Sequence, residues 1–127
     1  MALAAAAALV WVAGPAAPDS GRLHLFLHFT DTAQANLDLA ARVGLALEAR
    51  GFDVVDLRPV EAEMRATTVR FFDPALRGAA RRLGGQLERL LAAEGAANER
   101  VRVQDFTFYR PKPPADSLEV WFATLHR

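Results

Sequence analysis

The chain has 127 residues, 52% of them hydrophobic and 24% charged, with 15 basic against 15 acidic groups and no cysteine. That length holds one domain with a core large enough to fold alone, and the composition is too apolar for a disordered chain. Zero net charge argues against a dedicated nucleic-acid binder, which draws most of its affinity from a cationic surface, and the missing thiols exclude disulfides, thiolate metal sites and cysteine nucleophiles.

Residues 1–18 carry no charge, and Ala2–Val12 is a continuous apolar run that leads to Gly14, Pro15 and Ala16. This is the apolar stretch and small-residue exit of a secretory signal, without the basic residues that usually open one. As a membrane span it is marginal, because about 20 apolar residues are needed and Gly14-Pro15 would break the helix. The segment 1–20 is therefore set apart as signal-like, anchoring or disordered, and a single domain is expected over 21–127. Export follows as the expectation: a periplasmic or other extracytoplasmic protein, membrane-associated through residues 1–18.

Period-two alternation over Leu23–Phe29 predicts a strand with Leu23, Leu25, Leu27 and Phe29 on one face and His24, Phe26 and His28 on the other. Thr30-Asp31-Thr32 offers capping oxygens for a helix over Ala33–Arg50, whose inner stripe is Ala33, Leu37, Ala40, Gly44 and Leu47. Gly51 suits the left-handed position after it. Phe52–Leu57 reads as a second strand, Arg58–Ala66 as a polar connector and Thr67–Phe72 as a third strand. Asp73-Pro74 marks a helix start, an acidic cap followed by proline at the first helical position. That helix runs to Glu94 with Leu76, Ala80, Leu83, Leu87 and Leu90 at helical spacing. Val101–Phe106 and Leu118–Ala123 complete the strands around a proline-rich loop at Arg110–Pro114. The fold class expected is α+β, a two-layer α/β sandwich in the order β-α-β-β-α-β-β, with a mixed sheet of four or five strands and both helices on one face.

Little of this carries reaction chemistry. His24 and His28 share a face but lie about 13 Å apart along a strand, too far to chelate one ion. Each reads as a hydrogen-bonded structural residue. Asp53, Asp56, Glu61 and Glu63 read as solvated charges, Ser20 and Ser117 sit in no nucleophile elbow, and Gly78, Gly84 and Gly85 fall inside a helix rather than in a phosphate loop. No enzymatic activity, metal or cofactor is expected. Arg77, Arg81, Arg82 and Arg89 read as a solvated helix face. The cluster that can bind is aromatic and cationic: Arg70, Phe72, Tyr109, Arg110 and Trp121, with Phe106 and Phe108 nearby and Glu119 on the face of Trp121. Flat rings beside guanidinium and carboxylate groups can stack on a sugar or base while hydrogen-bonding its edge. The competing reading is that most of these rings fill the core.

The stretches AARVGLALEARGFDVVDL (40–57) and TTVRFFDPALRGAARRLGGQL (67–87) resemble the LytR C-terminal-type domain of bacterial cell-envelope proteins. The shared pattern is a helix ending in a Gly-Phe-x-Val strand, then a Thr-Thr-Val-x-aromatic strand and a second helix, over residues 23–106. Such domains commonly follow the first strand with an Asn-Gly turn, where this chain has His28-Phe29-Thr30-Asp31, and the tail Asp105–Phe122 is an elaboration of its own. The element order is also similar to that of sporulation-related-repeat domains, which bind peptidoglycan. These resemblances imply a non-catalytic accessory module whose partner is cell-wall glycan or an envelope protein, with no nucleic acid expected. Two alternatives remain open at this point. One is a protein-interaction or structural subunit domain that uses an exposed strand edge. The other is an RNA-recognition-like domain, which has the same element order but needs stacking aromatics that the first strand lacks.

Overall fold

A computed structural model describes residues 22–30, 34–62 and 64–123. The segment 1–20, the capping residues Asp31 and Thr32, Ala33 and Glu63 lie outside the described residues. The elements are β1 (His24–Phe29), α1 (Gln34–Ala49), β2 (Asp53–Pro59), β3 (Thr68–Phe71), α2 (Arg77–Ala93), β4 (Arg102–Asp105) and β5 (Ser117–Phe122), the expected order. Among the described residues, no helix is long and apolar enough to cross a membrane.

The strands form one five-stranded mixed sheet in the order β2-β1-β5-β3-β4. β1 is parallel to β2 and to β5, β3 is parallel to β4, and only β3 and β5 run antiparallel. Leu57, Leu27, Val120, Val69 and Val103 stand side by side across the sheet. Both helices press on this row. A Cβ at Gly44 of α1 would lie 3.4 Å from Leu27 Cδ1, and one at Gly84 of α2 would lie 3.4 Å from Val103 Cγ2. The two helices therefore cover the same face, and the small residues let them lie close to it. On the outer side of the pair, Arg42 of α1 reaches Glu94 beyond the end of α2 at 2.8 Å.

This pairing makes two closed βαβ units, β1-α1-β2 and β3-α2-β4, with β5 laid between them. The RNA-recognition-like alternative requires split units, in which other strands separate the parallel pair. Here β1 bonds directly to β2, and β3 to β4, so that alternative shares the element order but not the sheet.

Local chemistry explains the element ends. Asp73 Oδ1 accepts the N–H of Ala75 at 2.9 Å and Pro74 takes the first position, as expected, but the first turn (Pro74–Leu76) is a 3-10 turn that hands over to α2. Gly51 follows α1 at φ +98, where Phe52 N–H returns to the Leu47 carbonyl at 3.2 Å. Gly95 does the same after α2, with Ala96 N–H on Leu91 at 2.8 Å. Only glycine adopts that backbone without strain.

Leu25, Leu27, Leu47, Val69, Leu83 and Leu87 are fully buried in the shared core, as expected. Leu37 is not: it is half-buried, and Leu39 and Val43 point inward in its place. Asn36, Leu39, Ala40, Val43, Gly44 and Leu47 make the inner stripe of α1: Ala40, Gly44 and Leu47 as expected, with Leu39 and Val43 buried where Leu37 was expected. In α2 the same adjustment brings Leu91 inward and leaves Leu90 half-buried.

Candidate functional site

Among the described residues, no helix covers the second face of the sheet. Alternation along the strands sends His24, Phe26 and His28 of β1, Glu119 and Trp121 of β5, and Arg70 of β3 to this side, away from the fully buried Leu27, Val120 and Val69. Register then assembles them. Arg70 lies between Glu119 on one neighbouring strand and Gln104 on the other, and Trp121 lies between His28 and Thr68.

Arg70 is the centre of the arrangement. Its guanidinium carbon stands 4.4 Å from the ring centroid of Phe106 and 4.4 Å from that of Trp121, so the planar cation is held between two aromatic rings. Its Nε donates to Gln104 Oε1 at 3.2 Å. Among the described residues no carboxylate lies within ion-pair distance of it. Burial pushes its pKa down while the nearby Glu119 carboxylate pushes it up, and a guanidinium remains charged throughout. Trp121 Nε1 donates to Glu119 Oε1 at 2.9 Å. Its ring meets the His28 imidazole edge-on, with centroids 4.5 Å apart. Among the described residues His28 Nδ1 has no hydrogen-bond partner, and burial lowers the pKa of the ring. Burial therefore works against the protonated form of the ring.

These groups line a recess of about 340 Å³, walled by His28, Arg70, Glu119 and Trp121 and closed on the other side by Phe72, Phe106 and Tyr109. Phe72 meets Phe106 and Tyr109 edge-on at 6.0 and 5.9 Å. The β4–β5 loop forms the rim, with Phe108 71% and Tyr109 45% exposed. A second cavity, about 400 Å³, lies at the end of β3 between Pro74, Leu76 and Lys112–Ser117. Although larger, it is lined by three prolines, Phe72, Leu76 and Ala115 beside Asp116; the Asp73 carboxylate is taken up by the cap on Ala75, and the Lys112 ammonium is already bound to the carbonyls of Phe72 and Thr107. The recess holds the richer chemistry. It offers one cation, one carboxylate, an imidazole and several rings, without any metal-ligating group of three His, Cys, Asp or Glu among the described residues.

Of the residues singled out from the sequence, Arg70, Phe72, Tyr109 and Trp121 come together here. Phe72 is almost wholly buried and serves as a wall of the recess rather than as a free stacking ring. Arg110 stands outside: its Nη1 donates to the carbonyls of Thr107 and Tyr109 at 3.1 and 2.9 Å, bracing the loop. Trp121 is half-buried between Arg70 and His28, not a bare outward ring. His28 was missed as a member of the site. Its outward parity is readable in β1, but its contact with Trp121 depends on β5 pairing with β1 across more than ninety residues of chain. The expectation of a hydrogen-bonded structural histidine fits His24, whose Nδ1 lies 2.8 Å from Asp53 Oδ2.

No protein-family profile matches the chain, and no curated protein sequence matches it. Among solved structures, it is similar to the solution structure of the C-terminal domain of RV0431, with a TM-score of 0.52 at 22% identity, over 98% of this chain and 88% of that one. At that identity the likeness is one of fold, and the fold this chain shares with the C-terminal domain of RV0431 is the α+β sandwich described above.

Proposed function

We propose that this domain is a non-catalytic binding module of the bacterial cell envelope, and that the recess on its open sheet face holds a neutral, hydroxyl-rich segment of cell-wall glycan, with peptidoglycan as the expected polymer. The observation that carries the reading is Arg70, clamped between Phe106 and Trp121 beside Glu119 with its Nη groups committed to no carboxylate. The rings fix the plane of the donor in advance, so little ordering entropy is lost when its Nη groups bond a ligand. A donor and an acceptor side by side suit adjacent hydroxyl or acetamido groups, and the Tyr109 ring at the rim suits the apolar face of a sugar. The paired signs of charge disfavour a polyanion. The resemblance of residues 23–106 to the LytR C-terminal-type domain supports the envelope setting, and the uncharged segment 1–18 supports an extracytoplasmic one.

The test is co-sedimentation with purified peptidoglycan sacculi. Wild-type protein is expected in the pellet, and Arg70→Met, which keeps the stem between the rings but loses the donors, in the supernatant. Equal retention of both proteins, or of neither, removes the recess as the glycan site.

A second reading rests on a different surface. β2 is a sheet edge, and beside it Ala41, Leu45, Val54 and Leu57 line an apolar groove of about 300 Å³. Leu45 is 68% and Val55 50% exposed. An added strand from a partner protein would cover both, which is how exposed edges recruit partners. The bulge at Val55 and the proline at position 59 oppose that pairing. Val55→Lys abolishes partner binding in this reading and leaves glycan binding intact in the first.

A further inference from the structure

One end of the sheet gathers features of which the glycan reading uses only the Tyr109 ring. β1 and β5 start there and β3 and β4 finish there, since His24 stands beside Ser117, Leu118 beside Phe71, and Phe71 beside Asp105. Arg22 and Leu23 lead into β1 at this same end. The β4–β5 loop, residues 106–116, crosses this end over the last residue of β3.

That loop exposes the most aromatic surface among the described residues, Phe108 at 71% and Tyr109 at 45%. It is braced from within. Asp105 Oδ1 accepts from the Thr107 hydroxyl and N–H at 2.6 and 2.9 Å, and Tyr109 N–H donates to the Phe106 carbonyl at 3.0 Å. Arg110 and Lys112 donate to the carbonyls of Thr107, Tyr109 and Phe72. A phenylalanine held out on a braced loop is apolar area left in water unless a partner covers it. The charges around it are mixed. Arg22, Arg110 and Lys112 are exposed, while Asp105 is bound to Arg77 at 3.1 Å, Asp73 caps the turn before α2, and Asp116 stands free of ion pairs. The near balance gives a polyanion little to attract it. Exposed rings flanked by long cationic side chains are instead the composition of membrane-interface anchors, whose rings enter the headgroup boundary while Arg and Lys remain at its polar level.

We propose that the β4–β5 loop seats on a lipid bilayer surface, with Phe108 entering the headgroup–acyl boundary and Tyr109, Arg110 and Lys112 at headgroup level. The strands then stand away from the bilayer, and the recess opens sideways next to it. The docking shares Tyr109 with the recess but rests on Phe108, which lies outside the recess lining, and does not require that the recess binds glycan.

Because the chain has no cysteine, single labels are available. Phe108→Cys carries an environment-sensitive fluorophore at the loop, and Glu61→Cys carries one at the exposed opposite end of the sheet. The full-length chain is mixed with vesicles of phosphatidylcholine and phosphatidylglycerol. The expected result is a blue shift of the label at position 108 and its quenching by a lipid-borne quencher, with the label at position 61 keeping its aqueous spectrum. The proposal is overturned if the chain does not bind the vesicles, if it binds while the label at 108 stays in water, or if both labels shift alike.

Discussion

Truncating Trp121 separates two views of the aromatic cluster. As a bare ring on an outer surface, it would cost little stability when replaced by alanine. The structure makes it a half-buried wedge between the Arg70 guanidinium and the His28 ring, with its N–H on Glu119. A fully buried tryptophan loses about 3–5 kcal/mol on truncation, so half-burial brings Trp121→Ala to about 2 kcal/mol. Loss of the cation–π contact adds about 0.5–1 kcal/mol. For a domain of this size the sum corresponds to a fall in Tm of about 10–20 °C. Urea unfolding followed by far-UV circular dichroism measures it, and Arg70→Ala completes a double-mutant cycle. The coupling between the two positions should be about 1 kcal/mol, because neither ring nor guanidinium keeps its place alone. A loss below about 0.5 kcal/mol would refute the wedge, as would strict additivity, whereas failure to fold would make Trp121 a core residue and remove the recess.

Gly85→Ala should stabilise the domain by about 0.5–1 kcal/mol through helix propensity, since a Cβ there meets only the mobile end of Arg89 at 3.9 Å. Gly84→Ala, whose Cβ would touch Val103 and Val101 at 3.4 and 3.6 Å, should gain less; a larger gain at Gly84 in thermal unfolding would mean that α2 does not lie as close to β4 as described. His28 should make folding pH-dependent. Burial lowers its pKa in the folded state from the ordinary 6.5, so below that pH the unfolded chain takes up a proton that the folded chain refuses. Stability therefore falls as the pH drops from about 6.5 towards 5, and His28→Gln should flatten that part of the profile; parallel profiles for the two proteins would show that His28 is not buried as described.

The sequence made the layers of this domain readable and left its centre hidden. Alternation in β1 separates Leu27 from His28, Asp73-Pro74 marks the second helix and Gly51 ends the first, because these signals act within a few residues of chain. The seating of β5 between β1 and β3 depends on pairings between residues about 50 and 90 positions apart, for which no local preference exists. That seating is what brings His28, Trp121 and Arg70 together, so the membership of His28 could not be read in advance. Leu37 lies outside the core and Arg110 outside the recess lining for a related reason. Helical spacing allows more than one inward rotation, and packing against the sheet selected the one that buries Leu39 and Val43. Composition likewise places Arg110 among aromatics, but its guanidinium is spent on the carbonyls of its own loop.

The recess itself is tested most directly by an NMR titration of the domain with a soluble disaccharide–peptide fragment of peptidoglycan. The Trp121 indole N–H and the Arg70 Nε–H each report on one side of the proposed contact, and both already donate within the protein, to Glu119 and Gln104. The account predicts that these two signals shift together and saturably, that Tyr109 and His28 follow, and that Arg70→Met abolishes the response while keeping the folded spectrum. Shifts confined to Leu45, Val55 and the β2 edge, or none at all, would contradict it.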